Sequence, residues 1–127
     1  MTVTAAIHSG FFALGIQPGD EVIAPTYTYW ATSMPARALG ARIVFAESDP
    51  DTLCIDAVDI RRKITRKTRV IAVTHVWGIP CQMDEIMNIA REYNLKVLED
   101  AAHIPGGEYK GRKVGTTAQI RRKQCKA

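Results

Sequence analysis

Short apolar runs alternate with amphipathic stretches along this chain, and the turns between them carry Gly, Pro, Asp and Asn. Over residues 4–14 the apolar residues Ala5, Ala6, Ile7, Phe11, Phe12 and Leu14 predict a buried helix, with Gly15 placed to end it. Pro18-Gly19-Asp20 then turns the chain into a short strand, residues 21–24, that stops at Pro25. Thr28 is the expected cap of a helix running through Trp30, Ala31, Met34 and Leu39 to Gly40, kinked at Pro35. Residues 42–46 contain Ile43-Val44-Phe45 and read as a strand buried on both faces, followed by the loop Asp49-Pro50-Asp51.

Asp56 caps the next predicted helix, residues 57–64, and a polar turn leads into the β-branched run 70–74. Asp84 is the expected cap of a helix that carries Ile86, Ile89, Ala90 and Tyr93 on one face and stops at Asn94. Residues 96–99 form the last long strand, and Tyr109-Lys110-Gly111-Arg112-Lys113 reads as a tight hairpin. Strands that alternate with helices imply right-handed crossovers and a mostly parallel sheet covered on both faces, a three-layer α/β/α fold.

Composition narrows the class. With 127 residues, 46% hydrophobic and 24% charged, the chain has the makeup of one globular domain, expected over residues 1–120. No apolar run is long enough to span a bilayer and the first residues lack the pattern of a secretory leader, so a soluble cytoplasmic protein is expected. Cys54, Cys81 and Cys125 are widely spaced and form no C-x-x-C pair, which points to reduced thiols and to neither disulfides nor zinc. The formal charge of +4 invites a nucleic-acid partner. Its distribution argues against one, because Arg121, Arg122, Lys123 and Lys126 carry the whole excess while residues 1–120 balance at 13 basic and 13 acidic. Residues 121–127 are therefore expected to be a frayed basic tail. Arg61, Arg62, Lys63, Arg66 and Lys67 sit where cations favour a helix C-terminus.

Ligands of open parallel sheets bind beyond the carboxyl ends of the strands, which directs attention to three places. In Glu99-Asp100-Ala101-Ala102-His103, Asp100 follows apolar strand residues, so its carboxylate either seeks a cationic or hydrogen-bonding partner or caps the next segment. At the start of the first helix, Thr4, Ala5 and Ala6 offer a hydroxyl and backbone N–H groups to an anion. The stretch Pro25-Thr26-Tyr27-Thr28-Tyr29-Trp30 holds three aromatics, one of which could cover a flat ligand, whereas Tyr27 and Trp30 are expected to pack in the core.

Together these features resemble the DegT/DnrJ/EryC1/StrS aminotransferases, which use pyridoxal 5′-phosphate (PLP) to aminate keto-sugars attached to nucleotides. The resemblance runs from Thr4 to Gly115 through Thr4-Ala5-Ala6, Ala13-Leu14-Gly15-Ile16, Pro18-Gly19-Asp20-Glu21-Val22-Ile23, Leu39-Gly40-Ala41, Asp49-Pro50-Asp51-Thr52, Glu99-Asp100-Ala101-Ala102-His103 and Tyr109-Lys110-Gly111-Arg112-Lys113-Val114-Gly115. It implies the large domain of an aspartate aminotransferase-like fold. Asp100 would pair with the protonated pyridine nitrogen, Tyr29 would stack on the ring, Thr4 and Ala5 would bind the phosphate, and His103 would lie near the phenolic oxygen.

Two positions depart from the family's pattern. Val3 stands where the family usually has Gly, and residues 116–120 pass into the basic tail where the family continues toward its Schiff-base lysine. The matching lysine falls beyond Ala127, and neither Lys123 nor Lys126 occupies its place, so no catalytic residue is assigned and a truncated chain without turnover is expected. The alternatives are a non-catalytic module that binds PLP or a nucleotide-sugar, and a basic-tailed interaction protein. A homo-oligomer is the expected assembly.

Overall fold

The computed structural model describes residues 2–118. Its elements are α1 (Val3–Ala13), β1 (Glu21–Pro25), α2 (Met34–Ala38), β2 (Arg42–Ala46), α3 (Ala57–Lys63), β3 (Thr68–Thr74), α4 (Met83–Glu92), β4 (Lys96–Asp100), β5 (Glu108–Tyr109) and β6 (Arg112–Lys113). A single 3₁₀ turn, Trp30–Thr32, precedes α2. The four long strands form one sheet in the order β2-β1-β3-β4, and every pairing is parallel. The tail expected at 121–127, with Cys125, lies outside the described residues.

Alternation along each strand divides the core in two. Val22, Ala24, Val70, Ala72 and Leu98 face Ile7 and Phe11 of α1 and Ala36 of α2. Ile23, Ala46, Ile71, Val73 and Val97 face Ala57 and Ile60 of α3 and Ile86, Ile89 and Ala90 of α4. A side-chain period of two therefore places one helical layer on each face, the three-layer fold expected from the sequence. The chain leaves β1 toward β2 through α2 and leaves β3 toward β4 through α4, on opposite faces. The crevice between β1 and β3 at their carboxyl ends is thus a topological switch point.

α1 is held at both ends. Thr2 caps it, accepting from the Ala5 amide at 3.2 Å. At the other end Gly15 adopts φ +77°, its amide donates to Phe12 O and the Ile16 amide donates to Phe11 O, with Ile16 and Phe11 both buried. This is a Schellman closure, which a residue with a Cβ would strain. The loop after it reverses the chain, so α1 runs antiparallel to β1 and its N-terminus lies at the carboxyl edge of the sheet, packed on the 3₁₀ turn. The hairpin β5–β6 turns through Lys110 and Gly111, both at positive φ, as two-residue hairpins require.

Four local expectations are corrected. The helix expected from Thr28 to Gly40 is divided into the 3₁₀ turn and the five-residue α2, because Pro35 lacks the N–H to continue a preceding helix and occupies the first turn of a new one. Thr28 caps nothing there; its hydroxyl donates across the sheet edge to Thr74 Oγ1 at 3.1 Å. β2 is an edge strand rather than one buried on both faces, with Arg42 and Phe45 exposed, since β1 is its sole sheet partner among the described residues. Asp84 lies inside α4, where its carboxylate takes Lys110 at 2.6 Å and Arg112 at 3.3 Å, tying the hairpin to the helix. The other signals hold: Asp56 accepts from the Val58 amide at 2.9 Å, Asn94 ends α4 at φ +54°, and Arg61, Arg62 and Lys63 occupy the last turn of α3. Among the described residues no helix is long and apolar enough to cross a membrane.

Candidate functional site

The carboxyl edge of the sheet gathers the chemistry. Asp100 is the last residue of β4, 8% exposed, in register with Thr74 at the end of β3. Its Oδ1 accepts from the Ala102 amide at 3.1 Å, the local cap that was one reading of this residue, and its Oδ2 accepts from Thr32 Oγ1 at 2.9 Å, a partner 68 positions away in sequence. Since the Thr32 proton goes to Asp100, Thr74 must donate to Thr32 across 3.1 Å, and Thr28 donates to Thr74 across 3.1 Å. With Thr28 and Thr32 3.2 Å apart, the three hydroxyls form a closed cluster beside the carboxylate that joins the 3₁₀ turn to β3 and β4. A buried carboxylate ordinarily meets a cation. Among the described residues no cationic side chain pairs with Asp100.

Aromatic side chains rim this edge. Tyr29 is 59% exposed and lies 5.2 Å from the Trp30 ring, and Trp77, 70% exposed, stacks on His103 with centroids 5.6 Å apart. Trp77 Nε1 donates to the Tyr27 hydroxyl at 3.3 Å, which links the loops after β1 and β3. The expectation that Tyr27 and Trp30 pack in the core is overturned: both are exposed, because their loop stands beyond the strand ends and only Ala31 and Thr32 of the 3₁₀ turn are buried. Tyr29 is the residue before the 3₁₀ turn whose last residue, Thr32, binds Asp100, so both lie at the same edge.

The N-terminus of α1 needs one correction. The helix begins at Val3, not Thr4, and the Ala5 amide is already taken by the Thr2 hydroxyl. An anion at this end would therefore meet the Val3 and Thr4 amides and the half-buried Thr4 side chain rather than the amide of Ala5.

Beside Asp100, Glu99 turns to the opposite face and holds His75; both side chains are fully buried. His75 Nδ1 accepts from the Cys81 amide at 3.0 Å, so Nε2 carries the proton that Glu99 Oε1 receives at 2.9 Å. Burial pushes the Glu99 carboxyl up, but hydrogen bonds from His75 and from the Gly115 and Ala118 amides outweigh it and hold the group below the ordinary value. Cys54 and Cys81 are buried free thiols. Cys54 Sγ donates to Ile79 O at 3.4 Å and Cys81 Sγ to Thr74 O at 3.1 Å, and the interaction of the two thiols lowers Cys54 while it and burial raise Cys81.

Sequence reasoning missed Thr28, Thr32 and Thr74 as partners of Asp100, and missed Trp77 and the His75–Glu99 pair. The rule that singled out the ends of β1 and β4 applies equally to the end of β3, where Thr74-His75-Val76-Trp77 stands. A cavity of about 390 Å³ opens elsewhere, between α4 and the hairpin, lined by Asp84, Met87, Asn88, Arg91, Arg112 and Thr117. It is shallow and its charges are already paired within α4 and the hairpin, so the carboxyl edge is the better candidate.

Known proteins place this geometry. The chain is 44% identical over 117 residues to the GDP-perosamine synthase of Escherichia coli O157:H7, covering 92% of this chain and 32% of that protein. The structure superposes on the aminotransferase from Psychrobacter cryohalolentis with a TM-score of 0.89 and 40% identity, over 91% of this chain and 29% of that one. It also superposes on ntda from Bacillus subtilis, solved with bound cofactor PMP, with a TM-score of 0.82 and 38% identity, over 88% and 26% of the two chains. The chain thus spans about a third of the length of the curated relatives it matches. Its match to the family model runs over residues 2–122, and the chain belongs to the DegT/DnrJ/EryC1/StrS aminotransferase family.

Proposed function

We propose that this chain is the cofactor-ring portion of a PLP-dependent aminotransferase acting on a nucleotide-linked keto-sugar. The observation that carries the reading is Asp100: a buried carboxylate at the carboxyl end of β4, beside the switch point, oriented by Thr32 and the Ala102 amide, with no cation among the described residues to balance it. A protonated pyridine nitrogen supplies that cation, and the exposed Tyr29 ring supplies a flat apolar surface for the ring face. The residues present fit the ring well and the phosphate less fully, since one of the α1 amides is already capped. PLP, when bound, supplies an electron sink for bonds at the amino-bearing carbon. Asp100 would keep the ring nitrogen protonated, the threonine cluster fixes the Asp100 rotamer through Thr32, Tyr29 would shield one ring face from water, and His103, braced by Trp77, would present a polar edge. Thr4 and Ala5 belong to the turn that would face the phosphate. The name of the Escherichia coli relative supports a nucleoside-diphosphate sugar as the substrate class.

Amine transfer also needs a lysine, as nucleophile and proton carrier. Among the described residues no lysine bonds to Asp100: Lys63 is held by Phe45 O and Asp59, Lys67 precedes β3 and Lys96 opens β4 at the sheet edge opposite Asp100, Lys110 is held by Asp84, and Lys113 lies on β6. On this reading the described residues bind PLP reversibly, without a covalent link. Titration with PLP followed by borohydride reduction and peptide mapping should give saturable binding without a stoichiometric adduct at any one lysine. A single adduct on Lys123 or Lys126 would show that the chain carries its own attachment residue.

We further propose that the chain assembles with itself. Both β2 and β4 are sheet edges among the described residues, and Phe45 lies exposed on β2. Strand pairing or packing across a two-fold would cover such an edge in both copies at once. Light scattering at micromolar concentration should give at least a dimer mass; a monomer with one cooperative melt contradicts the assembly.

A further inference from the structure

Glu99 does more than sit beside Asp100. Its buried carboxylate accepts four hydrogen bonds, from His75 Nε2 at 2.9 Å and the Gly115 amide at 2.6 Å on Oε1, and from the Thr117 and Ala118 amides at 3.2 Å each on Oε2. The donors come from two places far apart in sequence: the loop that follows β3, and the segment that follows the hairpin. That segment belongs to no helix or strand, so it lacks a backbone ladder to fix it. Ordering irregular backbone costs conformational entropy at every residue, and charge-assisted bonds to a single buried acceptor offset that cost here. His75 in turn is held by the Cys81 amide, which leaves Glu99 little freedom to turn away.

The place where the segment is held matters. Gly115 takes φ +78°, and a Cβ built on it would stand 3.6 Å from the Ala101 Cβ, so the segment lies against the residue that follows Asp100 and continues to Ala118 in the core on the α3–α4 face. Glu99 and Asp100 alternate across β4. One carboxylate therefore faces the three threonines while its neighbour, on the opposite face, grips residues 115–118.

We propose that Glu99 is a positioning residue for the Asp100 site, latching residues 115–118 against the carboxyl end of β4 so that the strand end carrying Asp100 is held fixed. This rests on the reading of Asp100 as the ring-nitrogen partner. Glu99 touches no cofactor; it acts through the backbone it holds.

The test uses the full 127-residue chain with PLP as probe and two independent variants. Glu99→Gln keeps the side chain's size but cannot accept at both ends, and Thr117→Pro deletes one donor while leaving the carboxylate intact. In both, amide hydrogen exchange at Ala118 should rise at least tenfold, and in Glu99→Gln also at Gly115 and Thr117, while Val73 and Leu98 in the sheet keep their protection. The PLP dissociation constant should rise several-fold in each. Faster exchange with unchanged PLP affinity, or unchanged exchange, overturns the positioning role. Asp100→Asn is measured in parallel. If it binds PLP as the parent does, the cofactor reading fails and the role of Glu99 falls with it; if Asp100→Asn weakens binding and the latch variants do not, this inference alone fails. Should Glu99→Gln not fold, Thr117→Pro decides.

Discussion

Phe11→Ala should cost about 3–5 kcal/mol of folding stability and lower the melting temperature by roughly 10–20 °C. Phe11 is fully buried and joins α1 to Val22, Val70 and Leu98 of the sheet. The neighbouring Gly10 lies so close to Leu98 that a Cβ on it would come within 2.8 Å of that side chain, so the helix has no slack to collapse into the void. Phe11 O also accepts the Ile16 amide in the closure at the end of the helix. Because whole-domain stabilities are about 5–15 kcal/mol, this one truncation removes a large share of what holds α1 on the sheet, and with it the helix N-terminus at the carboxyl edge. Chemical and thermal denaturation measure the loss. A change below about 1 kcal/mol would mean that α1 is not packed as described.

Asp100→Asn should weaken PLP binding about 10–100-fold, since hydrogen bonds to charged groups contribute about 1.5–3 kcal/mol and every 1.4 kcal/mol is a factor of ten. Asparagine keeps the shape and can still accept the Ala102 amide through Oδ1, while its Nδ2 donates to Thr32 Oγ1 with the hydroxyl protons of the threonines reversed. What it loses is the negative charge that balances a protonated ring nitrogen. Fold and melting temperature should change little, so the loss reads as a site effect in an absorbance or fluorescence titration.

Much of this was legible in the sequence because it rests on local rules. The β-branched run at Val70-Ile71-Ala72-Val73, the Asp56 cap, and Gly15 and Asn94 as helix stops each specify their element within a few residues. Asp100 was legible as well, since a carboxylate ending an apolar strand has few ways to be satisfied. The failures are tertiary. Thr32 reaches Asp100 across 68 positions, and nothing local distinguishes it from the other threonines of the 26–32 stretch. Tyr27 and Trp30 look like core residues until the sheet shows that their loop stands beyond the strand ends. Asp84 has the right residue type for a cap, and it took the hairpin's cations, folded back onto α4, to draw its carboxylate away. β2 carries the same apolar run as an inner strand; strand order alone makes it an edge.

The protonation state of the bound cofactor's ring nitrogen tests the central claim most directly. With PLP labelled by ¹⁵N in the pyridine ring and bound to the chain at mildly alkaline pH, the nitrogen shift should report a protonated ring in the parent and an unprotonated ring in Asp100→Asn. Identical ring-nitrogen shifts in the two proteins, both at saturation, would contradict the assignment of Asp100 as the ring's partner.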